Sequence, residues 1–198
     1  METDVEKAKI VTIPEGMEEE DDIERVVEHE RGFESLGQSK EDIDTRIGRL
    51  EQPICGQIFN ADNNQAIVLA SQDTFVQVKP FESVAISQFV EASATDGQIV
   101  IIEPGLYQIL LSMSYSTTAT ANTYELEIQL NRGTRRLTHL HAERKTAAGG
   151  DIASVSVSGF ENLIQSDSVE IWVQRTDGGG SSKTLTIRDS NLAVIKVG

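Results

Sequence analysis

The side chains in this sequence able to carry acid–base, nucleophilic or metal chemistry are few: three histidines, His29, His139 and His141, and one cysteine, Cys55. His139 and His141 stand one residue apart in a stretch that reads as a strand. That spacing puts both on one face, where Glu143 could join them around a metal ion. Three ligands from one strand wrap a tetrahedral ion poorly, and the alternative is two polar residues on a solvated face or at a subunit contact, so no metal is assigned. Cys55 near a histidine could act as a nucleophile, but a lone cysteine at the start of an apolar strand is more simply a small buried hydrophobe. No Gly-x-Ser-x-Gly elbow, phosphate loop, His-Glu-x-x-His or paired-cysteine motif is present, and the glycine triplet 178–180 lacks the Lys-Ser/Thr that makes a phosphate loop. The expectation is a protein that is not an enzyme and carries no cofactor.

Other charged residues have two readings each. Asp62, Asp96, Asp151 and Asp167 fall at strand ends, where carboxylates either gather for calcium or cap their own turns. Arg135 and Arg136, with Arg132 and Arg144 nearby, form a cationic patch that either meets acidic arms of a neighbour or is a solvated strand face. Against a net charge of -15, such a patch is too small to neutralise a phosphate backbone, so no nucleic-acid partner is expected. No run approaches the roughly 20 apolar residues of a membrane helix, so no membrane partner is expected. The first residues lack the basic and apolar regions of a secretory signal, so the chain either stays where it is made or has lost a leader. One cysteine excludes an intrachain disulfide and suits a reducing compartment.

The elements that position these residues divide at about residue 50. Residues 1–50 hold 16 acidic and 7 basic side chains, among them the run Glu18, Glu19, Glu20, Asp21 and Asp22. With few large apolar residues, this acidic arm cannot offset its own ordering entropy and needs a partner. Ser39-Lys40-Glu41-Asp42 reads as a capping box opening a short helix over about 40–50. Ile43, Ile47, Leu50 and Ile54 follow a 4,3,4 spacing, which suits either a short trimeric neck or an ordinary amphipathic helix lying on its own domain.

Residues 51–198 switch to period two: Tyr124, Leu126, Ile128 and Leu130 face one way, Glu125, Glu127 and Gln129 the other. Strands are expected near 54–60, 66–70, 74–79, 83–90, 97–102, 106–116, 123–131, 134–145, 151–159, 167–176, 182–189 and 191–197. Pro104-Gly105 and Asn131-Arg132-Gly133 supply the turns. So many short strands make an all-β sandwich or barrel, with a jelly roll fitting best. Trp172 lies opposite Val169, Ile171 and Val173. It either belongs to a strand buried on both faces, packs at a subunit contact, or is an exposed sugar-stacking tryptophan.

Certain segments resemble a known family. Pro104-Gly105-Leu106-Tyr107-Gln108-Ile109, Ser156-Val157-Ser158-Gly159-Phe160 with Leu163 and Asp167-Ser168-Val169-Glu170-Ile171, and Leu185-Thr186-Ile187 with Asn191-Leu192-Ala193-Val194-Ile195 resemble complement globular heads and tumour-necrosis-factor-like jelly rolls. Cys55-Gly56-Gln57-Ile58-Phe59-Asn60 with Asp62-Asn63 is similar to the first strand and turn of bacterial and phage versions. The resemblance implies a jelly-roll head over 51–198 that trimerises through one sheet face. There is neither a collagen-like stalk nor an Asn-x-Ser/Thr glycosylation acceptor, which points away from an animal secreted protein. An acidic arm ahead of such a head is similar to phage virion proteins, namely capsid decoration (cement) proteins and short fibres. This implies a homotrimer on the capsid surface of a virion, made in the host cytoplasm, with the major capsid protein as partner. The alternative is a short fibre or receptor-binding head that recognises host glycan or protein through the loops 117–122 and 178–182.

Overall fold

The computed structural model describes residues 52–61, 64–119, 121–147, 149–177 and 181–197. The acidic arm, its expected helix and the neck residues Ile43, Ile47 and Leu50 lie outside the described residues.

Every regular element among the described residues is a strand: β1 (Cys55–Asn60), β2 (Gln65–Leu69), β3 (Val76–Gln77), β4 (Ser83–Gln88), β5 (Val90–Ser93), β6 (Gln98–Ile101), β7 (Gly105–Thr117), β8 (Thr123–Leu130), β9 (Arg135–Lys145), β10 (Ile152–Leu163), β11 (Ser168–Arg175) and β12 (Lys183–Lys196). They form two antiparallel sheets. The first runs β10-β7-β12-β1-β4, with β2 also paired to β12; the second runs β5-β6-β11-β8-β9, with β3 also paired to β11. The sheets stack as a jelly-roll sandwich, the expected all-β architecture.

Period two decides which side chains fill the space between the sheets. Tyr107, Ile109, Leu111, Met113 and Tyr115 point inward from β7, and Tyr124, Leu126, Ile128 and Leu130 from β8, all of them buried. Interiors are close-packed, so some inward positions have no room for a side chain. A Cβ on Gly56 would lie 2.6 Å from Val90 Cγ2 and 3.0 Å from Ile99 Cγ2, and one on Gly159 would lie 2.4 Å from Leu140 Cδ2. These glycines let the two layers approach, the first between β1 and the second sheet, the other between β10 and β9.

The observed strands differ from the expected ones where the backbone turns a corner. The stretch expected over 83–90 breaks at Phe89, whose φ of 54° is left-handed, so β4 and β5 fall in different sheets. The two expected closing strands are one, β12, carrying an irregularity between Ile187 and Asp189 that lets it cross the whole first sheet. The stretch expected over 74–79 shrinks to Val76–Gln77, paired only with Val173 and Trp172.

Two outcomes follow from this packing. Gly56→Ala is expected to destabilise the fold by about 1–3 kcal/mol, since rigid branched side chains face the new methyl; urea unfolding measures it, and an unchanged midpoint would refute the close approach. The second concerns alkali. The Tyr107 hydroxyl donates to Glu103 O at 2.7 Å, and burial, together with the Glu103 carboxylate, pushes its pKa from 10.0 up to about 12. Tyr115 is pushed in the same direction, chiefly by burial. Above pH 10 the unfolded chain releases protons that the folded one keeps, so stability is full below pH 10 and falls as pH rises toward 12. Tyr107→Phe should flatten part of that decline in denaturation series from pH 9 to 12.

Candidate functional site: the two outer faces

The outer face of the second sheet is closed by its own side chains. Glu125, Glu127 and Gln129 lie, as expected, on the face of β8 opposite its apolar set, and Glu170 on β11 shares that outer face, yet Glu127 and Glu170 are fully buried. Buried carboxylates need donors, and here they have them. Glu170 accepts from the Arg132 backbone amide at 2.9 Å, the Ser168 hydroxyl at 2.7 Å and the Trp172 indole N–H at 2.9 Å. Glu127 is gripped by the Arg136 guanidinium, whose Nε lies 2.8 Å from Oε1, and this bond is the main cause that raises the arginine's pKa. Arg136 also reaches Glu125 at 3.3 Å and lies over the Phe75 ring at 4.6 Å from its centre.

The turn Asn131-Arg132-Gly133 brings this layer together. All three residues have positive φ, and Asn131 donates to Asp167 Oδ1 at 2.8 Å while accepting from the Ser168 amide at 2.9 Å. Gly133 lies under Trp172, where a Cβ would come within 3.1 Å of the indole. Trp172 is thus a half-buried lid on the second sheet.

The outer face of the first sheet is different. Every large hydrophobic residue that is exposed among the described residues lies on that sheet's strands or in the turns directly flanking them; the second sheet's strands carry none. Phe160 is 54% exposed and Ile152 59%. Register aligns Phe160, Gln108, Ile195 and Cys55 in one row across β10, β7, β12 and β1, with Leu106 and Val197 just beyond it. Val68 and Ile152 lie toward the other end of the sheet.

Between these two apolar ends is a recess of about 590 Å³ whose lining includes Gln57, Phe59, Ser112, Ser114, Ser154, Ser156, Asp189 and Asn191. Gln57 Nε2 donates to Asn191 Oδ1 at 2.8 Å, and Ser114 Oγ to Asp189 Oδ2 at 2.7 Å. The lining holds one carboxylate and no histidine, cysteine or cation, so it lacks an acid–base pair. Its hydroxyls and amides are groups that bind by hydrogen bonding.

The other candidates are scattered. His139 Nε2 sits 3.3 Å from Phe160 O and 3.4 Å from Glu161 Oε2, while His141 Nδ1 is 2.6 Å from Thr138 O. Strict alternation does not hold between them and the start of β9, because the register shifts between Glu127 and Gln129, and Leu137 and Leu140 both turn inward. Among the described residues no group of three or more His, Cys, Asp or Glu side chains is placed to hold a metal ion. Asp96 bonds Ser93 Oγ at 2.7 Å, and Asp167 accepts from the Ile164 amide at 3.0 Å, so both serve their own turns. Asp62 lies outside the described residues. Arg135 pairs with Glu161 at 2.8 Å and Arg136 with Glu127, so two of the four arginines of the cationic patch are paired on the sheets' own side chains. Cys55 is half-buried with Ile195 and Gln88 as cross-strand neighbours, and Ile54 packs against the core.

The apolar row itself was not singled out from the sequence. Its signal was available, because in Ser154-Val155-Ser156-Val157-Ser158-Gly159-Phe160 the phenylalanine is in phase with the serines and not with the valines.

No protein-family model matches the sequence, and no curated protein matches it. Solved structures do. The Eiger TNF of S. frugiperda superposes with a TM-score of 0.53 at 12% identity, covering 74% of this chain and 93% of that one. Murine APRIL, in a crystal structure at pH 5.0, gives 0.49 at 13% identity over 74% of this chain and 100% of that one. At such identities the likeness concerns the fold alone, and the fold of the described residues is that of a TNF-like jelly roll.

Proposed function

We propose that this chain is a non-enzymatic virion protein, a homotrimeric capsid decoration protein whose head closes through the outer face of the first sheet and whose acidic arm binds the outer capsid surface. The observation that carries the trimer is that, among the described residues, every exposed large hydrophobic residue on a strand lies on that one sheet. Apolar side chains gathered toward both ends of one outer face, around a polar recess, are what a subunit contact uses. The arm carries the attachment, because an acidic segment with little apolar content gains order only on a partner, and three arms on one trimer multiply a weak contact. Threefold symmetry also matches local threefold positions in an icosahedral shell. In such a trimer Trp172, on the opposite sheet, lies away from the axis, and Ile54 leads from the arm into β1 beside the apolar row.

Two experiments test the reading. The double substitution Phe160→Glu with Ile195→Glu is expected to raise the concentration at which the trimer dissociates by more than about 100-fold, given about 1.5–3 kcal/mol for each apolar side chain removed from an interface. Light scattering after gel filtration reads the stoichiometry, and a double variant that stays trimeric would move the contact elsewhere. Removing residues 1–50 should leave a folded trimer that no longer co-sediments with capsids, whereas retained attachment would refute the arm's role. Quantitative mass spectrometry of particles from the source supplies the copy number. A fixed large fraction of the major capsid protein supports decoration, a few trimers per particle would favour a fibre, and absence from particles would overturn the viral reading.

A further inference from the structure

We infer that the recess on the outer face of the first sheet binds one neutral saccharide unit. The ladder arranges its lining in two adjacent rows. Ser156, Ser112, Asn191 and Phe59 are successive cross-strand neighbours on β10, β7, β12 and β1, and Ser154, Ser114 and Asp189 make the next row. Gln57 lies two residues before Phe59 on the same face. On β10 the short serines stand between the larger Ile152 and Phe160, which leaves the middle of the face concave. Its volume of about 590 Å³ is that of a small-molecule site.

A backbone irregularity aims the carboxylate. Ile187 is buried, and strict alternation would turn Asp189 inward as well. The register shift between these two residues instead places Asp189 opposite Ser114 on the outer face, while Ser190 takes the buried inward position. Bulges re-aim side chains, and this one delivers the only charged group among the described lining residues.

The lining selects the class of ligand. A phosphate or carboxylate would meet Asp189 and no cation, and a calcium ion would find one carboxylate where it takes several oxygen ligands. An apolar ligand would cover the hydroxyls of four serines, at about 1–3 kcal/mol for each one left without a partner. A sugar suits all of these groups, because each of its hydroxyls donates and accepts at once. Gln57 Nε2 donates to Asn191 Oδ1 at 2.8 Å, so the pair turns an amide oxygen of one and an amide nitrogen of the other to such hydroxyls. Ser114 Oγ, at 2.7 Å from Asp189 Oδ2, holds the carboxylate in place as an acceptor. Phe59 supplies an aromatic surface for the C–H face of the ring. The site is complete within one protomer; where this face closes in a trimer, the bound unit lies between subunits.

The Phe160→Glu, Ile195→Glu double variant of the full chain keeps the recess open whatever the assembly, because neither residue lines it. Saturation-transfer NMR with the methyl glycosides of glucose, N-acetylglucosamine, galactose, mannose and fucose is expected to show at least one bound with a Kd of about 10 mM or tighter. N-acetylneuraminic acid, an anion, should bind at least about tenfold more weakly than that glycoside. Asn191→Ala removes a donor, and Ser156→Trp fills the recess from an exposed position; each should weaken the bound glycoside by about tenfold or more. No binding by any of the five glycosides, equal binding of the anion, or an affinity untouched by both substitutions would overturn the inference. A wild-type chain that proves monomeric would refute the trimer alone, and the same titration on it would still test this site.

Discussion

A two-layer β-sandwich buries one face of each sheet against the other, and each outer face must then be made polar, covered by its own chain, or covered by something else. The packing of the inner faces fixes where the outer side chains point, because period two allows no other choice. In this chain the two outer faces meet the requirement in opposite ways, and the functional reading rests on that difference. The second sheet buries three acidic side chains to varying depth under a layer of hydrogen bonds built from Arg136, Trp172, Gln174 and the turn at Asn131. The first sheet presents bare apolar side chains flanking a hydroxyl-rich recess.

The polar layer on the second sheet is a closed arrangement. Glu170 is saturated by three neutral donors, and Glu127 by one arginine that is itself stacked on Phe75. The ion pair contributes modestly to net stability, since burying the carboxylate offsets most of the attraction. Its effect is on specificity of structure: with Arg136 committed to Glu127 and Trp172 committed to Glu170, the segment around Phe75 and the turn at Gly133 each have one place to sit. Apart from the buried Gln129 side-chain nitrogen, which has no partner among the described residues, this layer's polar groups find each other and leave few to offer a partner.

How much of this was legible in the sequence depends on which force acts at each position. The strands were legible because alternation of apolar and polar residues is a local signal, and the inward set on β8 is the expected one. Corners were not, because Phe89 adopts a left-handed backbone that its residue type does not announce, and the irregularity in β12 is set by its pairing with β7 within the first sheet. The polar layer was invisible for a related reason. Glu127 and Gln129 look like solvated positions until Arg136 and the Trp172 lid are brought over them by tertiary contacts. Cys55 and the paired histidines drew attention by residue type, yet the ladder places Ile195 and Gln88 beside the cysteine, and the histidines find separate partners. Phe160, by contrast, was readable, since its phase with the serines of β10 already turned it outward.

The arrangement of the first sheet has a consequence for any partner that covers it. Apolar contact is non-directional, so a face that is hydrophobic throughout admits many offsets with similar energy. Here the apolar row of Phe160, Ile195 and Leu106 is separated from Ile152 and Val68 by a belt of Ser112, Ser114, Ser154, Ser156, Gln57 and Asn191. A partner that slides along the strands would lay hydrophobic groups over the hydroxyls and leave them without hydrogen bonds, at about 1–3 kcal/mol for each buried unsatisfied group. The apolar ends therefore supply attraction, and the polar belt restricts the register in which it can be realised. In the proposed self-association both conditions would be met by one surface, because a rotation about an axis along the strands repeats the face with its bands at the same height.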